Sequence, residues 1–435
     1  MKLGSMADLT ADITPEQRER IDAIKTDLVD AERGYELATL RKSQGFGDNL
    51  GAGRGGGGKA GDTGVGVGHH RGVPFPLESL MSTLRVTAEP LIVLEHPGAD
   101  ALELAQVGLY RAVVAKGQYR TGEFAVYIPE QAVLPGELIE ELGLTGRLAG
   151  SAGNRVRAVR LRGELSQGIV CRPRAVTEDL AAAHAGGVDF AGLLGITKWV
   201  PPVPVSMSGA VESAPELMPW IDVEHLKRYP DVFAPGEPVV VSEKIHGSAC
   251  LFTYLVDGGR ALVSSKGFGS RGQALVEEQR NLYWRAARAF DLPGVAARLA
   301  AELGASRIGI FGEVFGAGVQ DLRYGARAGA AGAPGYAVFD VSAEIDGQLV
   351  WLDAYRLLDG LLPLVPRLWT GPFDIGAVLA LAQGTETVSG QGLHLREGVV
   401  VRPAVERHSA ELGGRAIAKV VSDAYLTRKG GTEYE

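Results

Sequence analysis

Between Ser82 and Pro173 the chain is built from short β-branched runs, Leu91–Leu94, Arg111–Val114, Phe124–Ile128, Val156–Leu161 and Gly168–Val170, punctuated by glycine and proline. That spacing predicts a small β-barrel. The composition changes on either side of it. Thr14–Ser43 is rich in Glu, Lys, Arg, Ala and Leu, and Thr14-Pro15-Glu16-Gln17 supplies an N-cap, a proline at N1 and a capping-box glutamine, so a helix is expected there. Residues 45–72 are dominated by glycine, with too few apolar side chains for a core; this reads as a flexible linker, and His69-His70 as solvated spacer. Thr197–Pro204 reads Thr-Lys-Trp-Val-Pro-Pro-Val-Pro, which cannot continue a sheet and marks a second boundary. Beyond Val205 strands mix with helices expected over Gln273–Phe290 and Gly294–Leu303. The expected class is α+β: a helical extension over 1–44, a linker over 45–81, a barrel over 82–196 and a mixed domain over 197–435.

At 46% hydrophobic and 22% charged the composition is that of a soluble protein, and no stretch approaches the roughly 18 apolar residues of a membrane span. A net charge of -8 offers nucleic acid no global attraction, so such binding needs local basic surface. Arg147, Arg155, Arg157, Arg160 and Arg162 gather in one short stretch of the barrel. Strand alternation puts Arg155 and Arg157 on one side and Arg160 and Arg162 on the other, and these four are the expected phosphate-backbone contacts. Cys171 and Cys250 lie far apart with no metal-ligand spacing, which fits a reducing cytoplasm better than a zinc or disulfide framework.

The chemistry concentrates downstream. Val239-Val240-Val241-Ser242-Glu243-Lys244-Ile245-His246-Gly247-Ser248 delivers one lysine from an apolar strand into a turn. A partly desolvated lysine is expected to have a depressed pKa and to act as a neutral nucleophile. Arg307–Gly316 is a buried-looking strand that presents Glu313 between glycines, and Tyr336–Val341 is a strand with Phe339 at its centre. In Arg396–Arg402 the pair Glu397-Gly398 opens a β-branched strand, and Arg415–Ser422 carries Lys419. Together these predict a pocket with two amines and two carboxylates, which suits nucleotidyl transfer: an amine attacks an α-phosphate while Glu313 and Glu397 hold a divalent cation. Hard oxygen ligands favour magnesium, with manganese as a substitute. Gly267–Gly272 matches GxGxxG but lacks the βαβ context of a dinucleotide site, and no HRD or DFG triplet supports a kinase.

Taken in order, these segments resemble the motifs of the covalent nucleotidyltransferases, the superfamily of ATP-dependent ligases and mRNA capping enzymes. Glu95–Val107 resembles the opening of tRNA-binding OB domains, with Gly98 where asparagine is usual. An OB module ahead of the catalytic domain resembles RNA ligase family five. The resemblance implies ATP as substrate, a covalent adduct of AMP on Lys244, and sealing of RNA ends, as in repair of nicked duplexes, by a monomer. It places Glu243, Glu313 and Glu397 around the nucleotide and metal, and Ile245, His246, Gly247 and Ser248 in the loop around the nucleotide. Phe339 stacks on adenine beside Val400, Lys419 meets the α-phosphate, and Lys266 lies on the ribose or phosphate side. The second lysine usual in the fifth motif is replaced by Val421, with Arg415 or Lys429 as candidate substitutes. An ATP-dependent DNA ligase and a non-catalytic tRNA- or RNA-binding protein are the competing readings.

Overall fold

The computed structural model describes residues 84–220, 222–325 and 334–432. The helix expected over 14–43, the glycine-rich tract and His69-His70 lie outside the described residues.

The barrel region consists of two three-stranded antiparallel sheets. One holds Thr87–Pro90, Phe124–Ile128 and Ile169–Cys171; the other is the meander Ile92–Glu95, Leu102–Val107 and Tyr110–Ala115. Alternate side chains turn inward, so Val86, Ala88, Val126 and Ile128 form one cluster, and Leu91, Ala105, Val107, Ala112 and Tyr127 another. The strand expected over Val156–Leu161 is shorter than the sequence pattern suggests. Val159–Leu161 pairs with Glu164–Ser166 across a turn at Arg162 and Gly163, whose φ values are 52° and 96°. Two successive positive φ angles suit a tight hairpin turn, and Arg162 therefore sits at a hairpin tip and not in the strand.

The expected boundary at Thr197 is still fastened to the barrel: Thr197–Lys198 pairs antiparallel with Ala132–Val133. The helix expected from Gln273 is also corrected. Gln273–Leu275 is a strand paired with Val211–Ser213, and the helix runs over Leu282–Ala289. Its start is fixed by Asn281, whose side chain accepts from the amides of Tyr283 and Trp284. The next helix, Leu292–Leu303, is capped by Asp291 and closed by Gly304 at φ 67°.

Two five-stranded sheets form the larger domain. The first runs in the order Glu224–His225, Ala418–Val421, Gly398–Pro403, Pro238–Lys244, Arg367–Pro372; the second runs Arg260–Ser265, Ser248–Leu255, Arg307–Phe315, Gly335–Ile345, Gln348–Leu352. Helices Leu282–Ala289 and Leu292–Leu303 cover the second sheet through a large cluster that includes Phe252, Ile308, Ile310 and Leu299. Behind the first sheet Val239, Val241, Val399, Val401, Ala418 and Val420 pack with Phe233 and Phe373. The opposite face of each sheet is left to line a cavity of about 660 Å³, closed on a third side by Tyr110, Glu130 and Gln167 of the barrel. Among the described residues no helix is long and apolar enough to cross a membrane.

Candidate active site

Strand parity decides what the first sheet shows the cavity. In Pro238–Lys244, Val239, Val241 and Glu243 are buried and Val240, Ser242 and Lys244 are half-buried. The register pairs Lys244 with Gly398, Ser242 with Val400, and Val400 with Lys419. Lys244, Val400 and Lys419 thus share the cavity face. Gly398 permits that pairing, because a Cβ there would collide with the carbonyl of Val420.

Lys244 Nζ donates to Glu397 Oε1 at 2.8 Å. Burial works to depress its pKa, but Glu397 and Glu313 outweigh burial and hold Lys244 above the ordinary lysine value. This corrects the expectation of a neutral amine: in the free protein Lys244 is an ammonium in an ion pair. The lysine that burial does depress is Lys419, which falls to about 8 because Lys266 and Lys244 add to desolvation against the opposing pull of Asp222.

Glu313 enters from the second sheet and accepts from the amide of Gly247; burial pushes its carboxyl up to about 8, with Lys244 pulling the other way. Gly247 is required by close approach, since a Cβ would meet the Val314 carbonyl and Glu313 Cγ. We expect Gly247→Ala to destabilise the protein by about 1–3 kcal/mol and to displace Glu313 from Lys244. Thermal unfolding reads the first effect; chemistry at Lys244 slowed beyond what lost folding explains reads the second.

Across the cavity Lys266 Nζ lies 2.9 Å from Asp222 Oδ2. Lys419 and Lys198 each approach the same carboxylate at 3.9 Å. Burial alone would raise the Asp222 pKa, but Lys419, Lys266 and Lys198 hold it far below the usual carboxylate range. Phe339 lines the cavity, its ring 6.4 Å from that of Trp220, with Val400 on the same cavity surface.

Lys244, Glu313, Glu397, Lys419, Lys266, Phe339 and Val400 are therefore brought together around one cavity. Glu243, Ile245 and His246 line the same cavity, with side chains tied to further partners. The Glu243 carboxylate accepts from the Thr387 amide at 2.9 Å and lies 3.6 Å from Arg396 Nε. Ile245 is buried against Phe315, Leu322 and Tyr324. His246 is buried behind the turn, with Nε2 2.8 Å from Asp321 Oδ1 and Nδ1 2.8 Å from Tyr425 Oη. Burial depresses the His246 pKa. It braces the lysine loop from behind.

The arginine expectation needs a sharper correction. Arg155 is 7% exposed, its guanidinium stacked 3.3 Å from the Trp199 ring centre and its Nε donating to Gln131. It is a structural clamp, not an exposed phosphate contact. Arg157 is half-buried, while Arg160 and Arg162 are exposed on the Val159–Ser166 hairpin. Of the two candidate substitutes for the missing lysine, Arg415 lines the cavity but pairs with Asp340 and Glu406 and lies over Trp351, and Lys429 is not among the lining residues. Residues the sequence reading missed are Asp222, Lys198, Asp321 and Tyr425. Asp222 follows irregular chain around Pro219 and Trp220, and Lys198 ends a two-residue strand before Trp199 and two prolines, so periodicity carries no signal at either.

Residues 237–421 match the RNA ligase family, and residues 82–173 match an OB-fold domain. The protein is thus an enzyme with an RNA ligase domain behind an OB-fold domain. Among solved structures the chain is similar to a Naegleria gruberi RNA ligase with PPi, at 23% identity and a TM-score of 0.62, over 79% of this chain and 98% of that one. It is also similar to a variant of that ligase with ATP and Mn (24% identity, TM-score 0.62, covering 78% and 98%) and to another with AMP and Mn (24%, TM-score 0.63, 79% and 98%). At this identity the likeness establishes the fold. No curated protein sequence matches the chain.

Proposed function

We propose that this enzyme is an ATP-dependent RNA ligase that joins 5′-phosphate and 3′-hydroxyl ends through a lysyl-AMP intermediate, acting in the cytoplasm on nicked RNA duplexes. The observation that carries this reading is Lys244, paired with Glu397 at 2.8 Å inside a cavity that also holds Glu313, Lys266 and Lys419. ATP is favoured by the similar ligase's complexes with ATP and AMP, and by Phe339 and Val400, which form an apolar slot for a base.

In the first step Lys244 Nζ gives up its proton, with Glu397 Oε1 as the acceptor it already touches, and attacks the α-phosphorus. A P–N bond forms, the Pα–O bond to the β-phosphate breaks, and its electron pair leaves on pyrophosphate. AMP then moves to the RNA 5′-phosphate, and the 3′-hydroxyl displaces AMP. The residues fit a divalent cation: Glu397 Oε2 is buried without a hydrogen-bond partner among the described residues, and Glu313 stands nearby as a second hard oxygen donor. Two carboxylates, with phosphate oxygens and water completing the shell, suit Mg²⁺ or Mn²⁺, which would offset charge on the phosphates. In this reading Arg160 and Arg162, exposed on the hairpin, meet RNA phosphates.

Incubation with α-labelled ATP and Mg²⁺ should label the protein, with little label from GTP. Matched nicks then separate RNA from DNA ligase: sealing is expected with ribose at the 3′-hydroxyl end, and equal sealing of all-DNA nicks would favour the DNA ligase reading.

A further inference from the structure

Lys244 ends a strand of the first sheet and Ser248 begins a strand of the second, so the turn Ile245-His246-Gly247 carries the chain from the sheet that holds the amine to the sheet that holds Glu313. That turn is fixed from outside both sheets. The amide of His246 donates to Tyr324 Oη at 2.7 Å, and the Gly247 carbonyl accepts from Gln320 Nε2 at 3.1 Å. Between those two residues stands Asp321, whose Oδ1 lies 2.8 Å from His246 Nε2. Arg428 grips the same carboxylate side-on, Nε to Oδ2 at 3.2 Å and Nη2 to Oδ1 at 3.3 Å, and the Thr432 amide donates to Oδ1 at 2.8 Å. Arg428 and Thr432 follow the strand Ala418–Val421 and the short helix Asp423–Leu426. We propose that Arg428 is a positioning residue for self-adenylylation: by locking Asp321 onto His246 it latches the turn that aims Lys244 at the α-phosphorus, although Arg428 itself does not line the cavity.

The latch is rigid because each member is committed twice. Burial keeps His246 neutral, with Arg428 helping against the pull of Glu397 and Asp321, so the ring carries one proton. The carboxylate takes that proton at Nε2, and Nδ1 is left to accept from Tyr425 Oη at 2.8 Å. The imidazole therefore has one orientation. Burial alone would raise the Asp321 carboxyl, but Arg428, the Thr432 amide and His246 hold it well below the usual carboxylate range. An exposed arginine pair would hold little. The Arg428 side chain, however, is 7% exposed, meets the carboxylate through two nitrogens and lies 3.6 Å over the Tyr425 ring. The base slot of Phe339 and Val400 is built on strands of the two sheets, which the latch leaves in place. Releasing the latch should therefore misaim the amine without emptying the nucleotide site, and a small misplacement of a reacting group is costly in rate.

This role rests on the ligase reading and is tested on the full chain as wild type, Arg428→Ala, Arg428→Lys and Asp321→Asn. Single-turnover self-adenylylation gives a maximal rate and a half-saturating ATP concentration, and sealing of a preadenylylated RNA nick reads the one step in which Lys244 is not the nucleophile. Arg428→Ala is expected to lower the maximal rate about a hundredfold, with half-saturating ATP and sealing of the preadenylylated nick each within about threefold of wild type. Arg428→Lys, which keeps the charge but not the fork, should recover about tenfold of that loss. A maximal rate within about threefold of wild type in Arg428→Ala would overturn the proposal. So would equal slowing of adenylylation and of sealing, which marks a general loosening of the domain. If Arg428→Ala does not fold, Asp321→Asn, which keeps the size of the side chain and removes its charge, decides by the same measures. A wild-type chain that takes no label from ATP sinks the ligase reading and this role with it; a labelled wild type beside an unslowed variant sinks the latch alone.

Discussion

Lys244→Ala should abolish covalent labelling by ATP, reducing it by more than about a thousandfold, because no second amine stands where Lys244 does. Lys419 is the rival, since burial brings it down to about 8, but it sits across the strand pairing beside Val400, against Asp222. Residual label on the alanine variant, mapped to Lys419, would make that lysine the nucleophile. The pH profile gives an independent check. Lys244 titrates above an ordinary lysine, so near neutral pH the neutral amine is a small minority in the free protein. A raised pKa means that the reactive form gains with pH, and the rate of self-adenylylation should climb about tenfold per unit from pH 6 to 8. A plateau already reached at pH 6 would mean that the bound state lowers the pKa far more than these contacts allow.

The sequence located the groups that meet in the cavity because each is carried by, or directly precedes, a strand whose apolar alternation is strong. Lys244, Glu313, Phe339, Glu397 and Lys419 could be read from short runs of Val, Ile and Gly. The same alternation, taken one step further, accounts for the partners of Glu243: in a strand where Val239 and Val241 are buried, residue 243 turns the same way, and its carboxylate meets Thr387 and Arg396 while the residue still lines the cavity. The protonation state of Lys244 was not legible at all. It depends on a carboxylate 153 positions away in the chain, and burial taken alone gives the wrong sign. Arg155 failed for a related reason. Its clustering with other arginines suggested exposed basic surface, but Trp199, distant in sequence, offers an aromatic face that takes the guanidinium out of solvent. Asp222 lies in irregular chain, and Lys198 in a two-residue strand too short to show a period.

Glu397→Gln separates two roles that the structure gives one carboxylate. Glu397 raises the pKa of Lys244, so its neutralisation should lower that pKa and enlarge the reactive amine fraction at neutral pH. If holding the ammonium form were its whole contribution, the variant would be faster than wild type. Its second oxygen, however, is buried with no hydrogen-bond partner among the described residues, as suits a carboxylate that also holds a cation, and the amide of glutamine is a poor donor to Mg²⁺. We expect loss of the cation site to prevail: self-adenylylation slowed by about 10²–10³, a higher Mg²⁺ requirement, and a pH profile displaced to the acid side. Loss of Oε1 as proton acceptor slows the reaction without changing its Mg²⁺ requirement, whereas loss of the cation site raises that requirement, so rate measured against both pH and Mg²⁺ resolves them. A variant with normal Mg²⁺ dependence and a rate at or above wild type would remove Glu397 from the metal site and leave it as the counter-ion of Lys244.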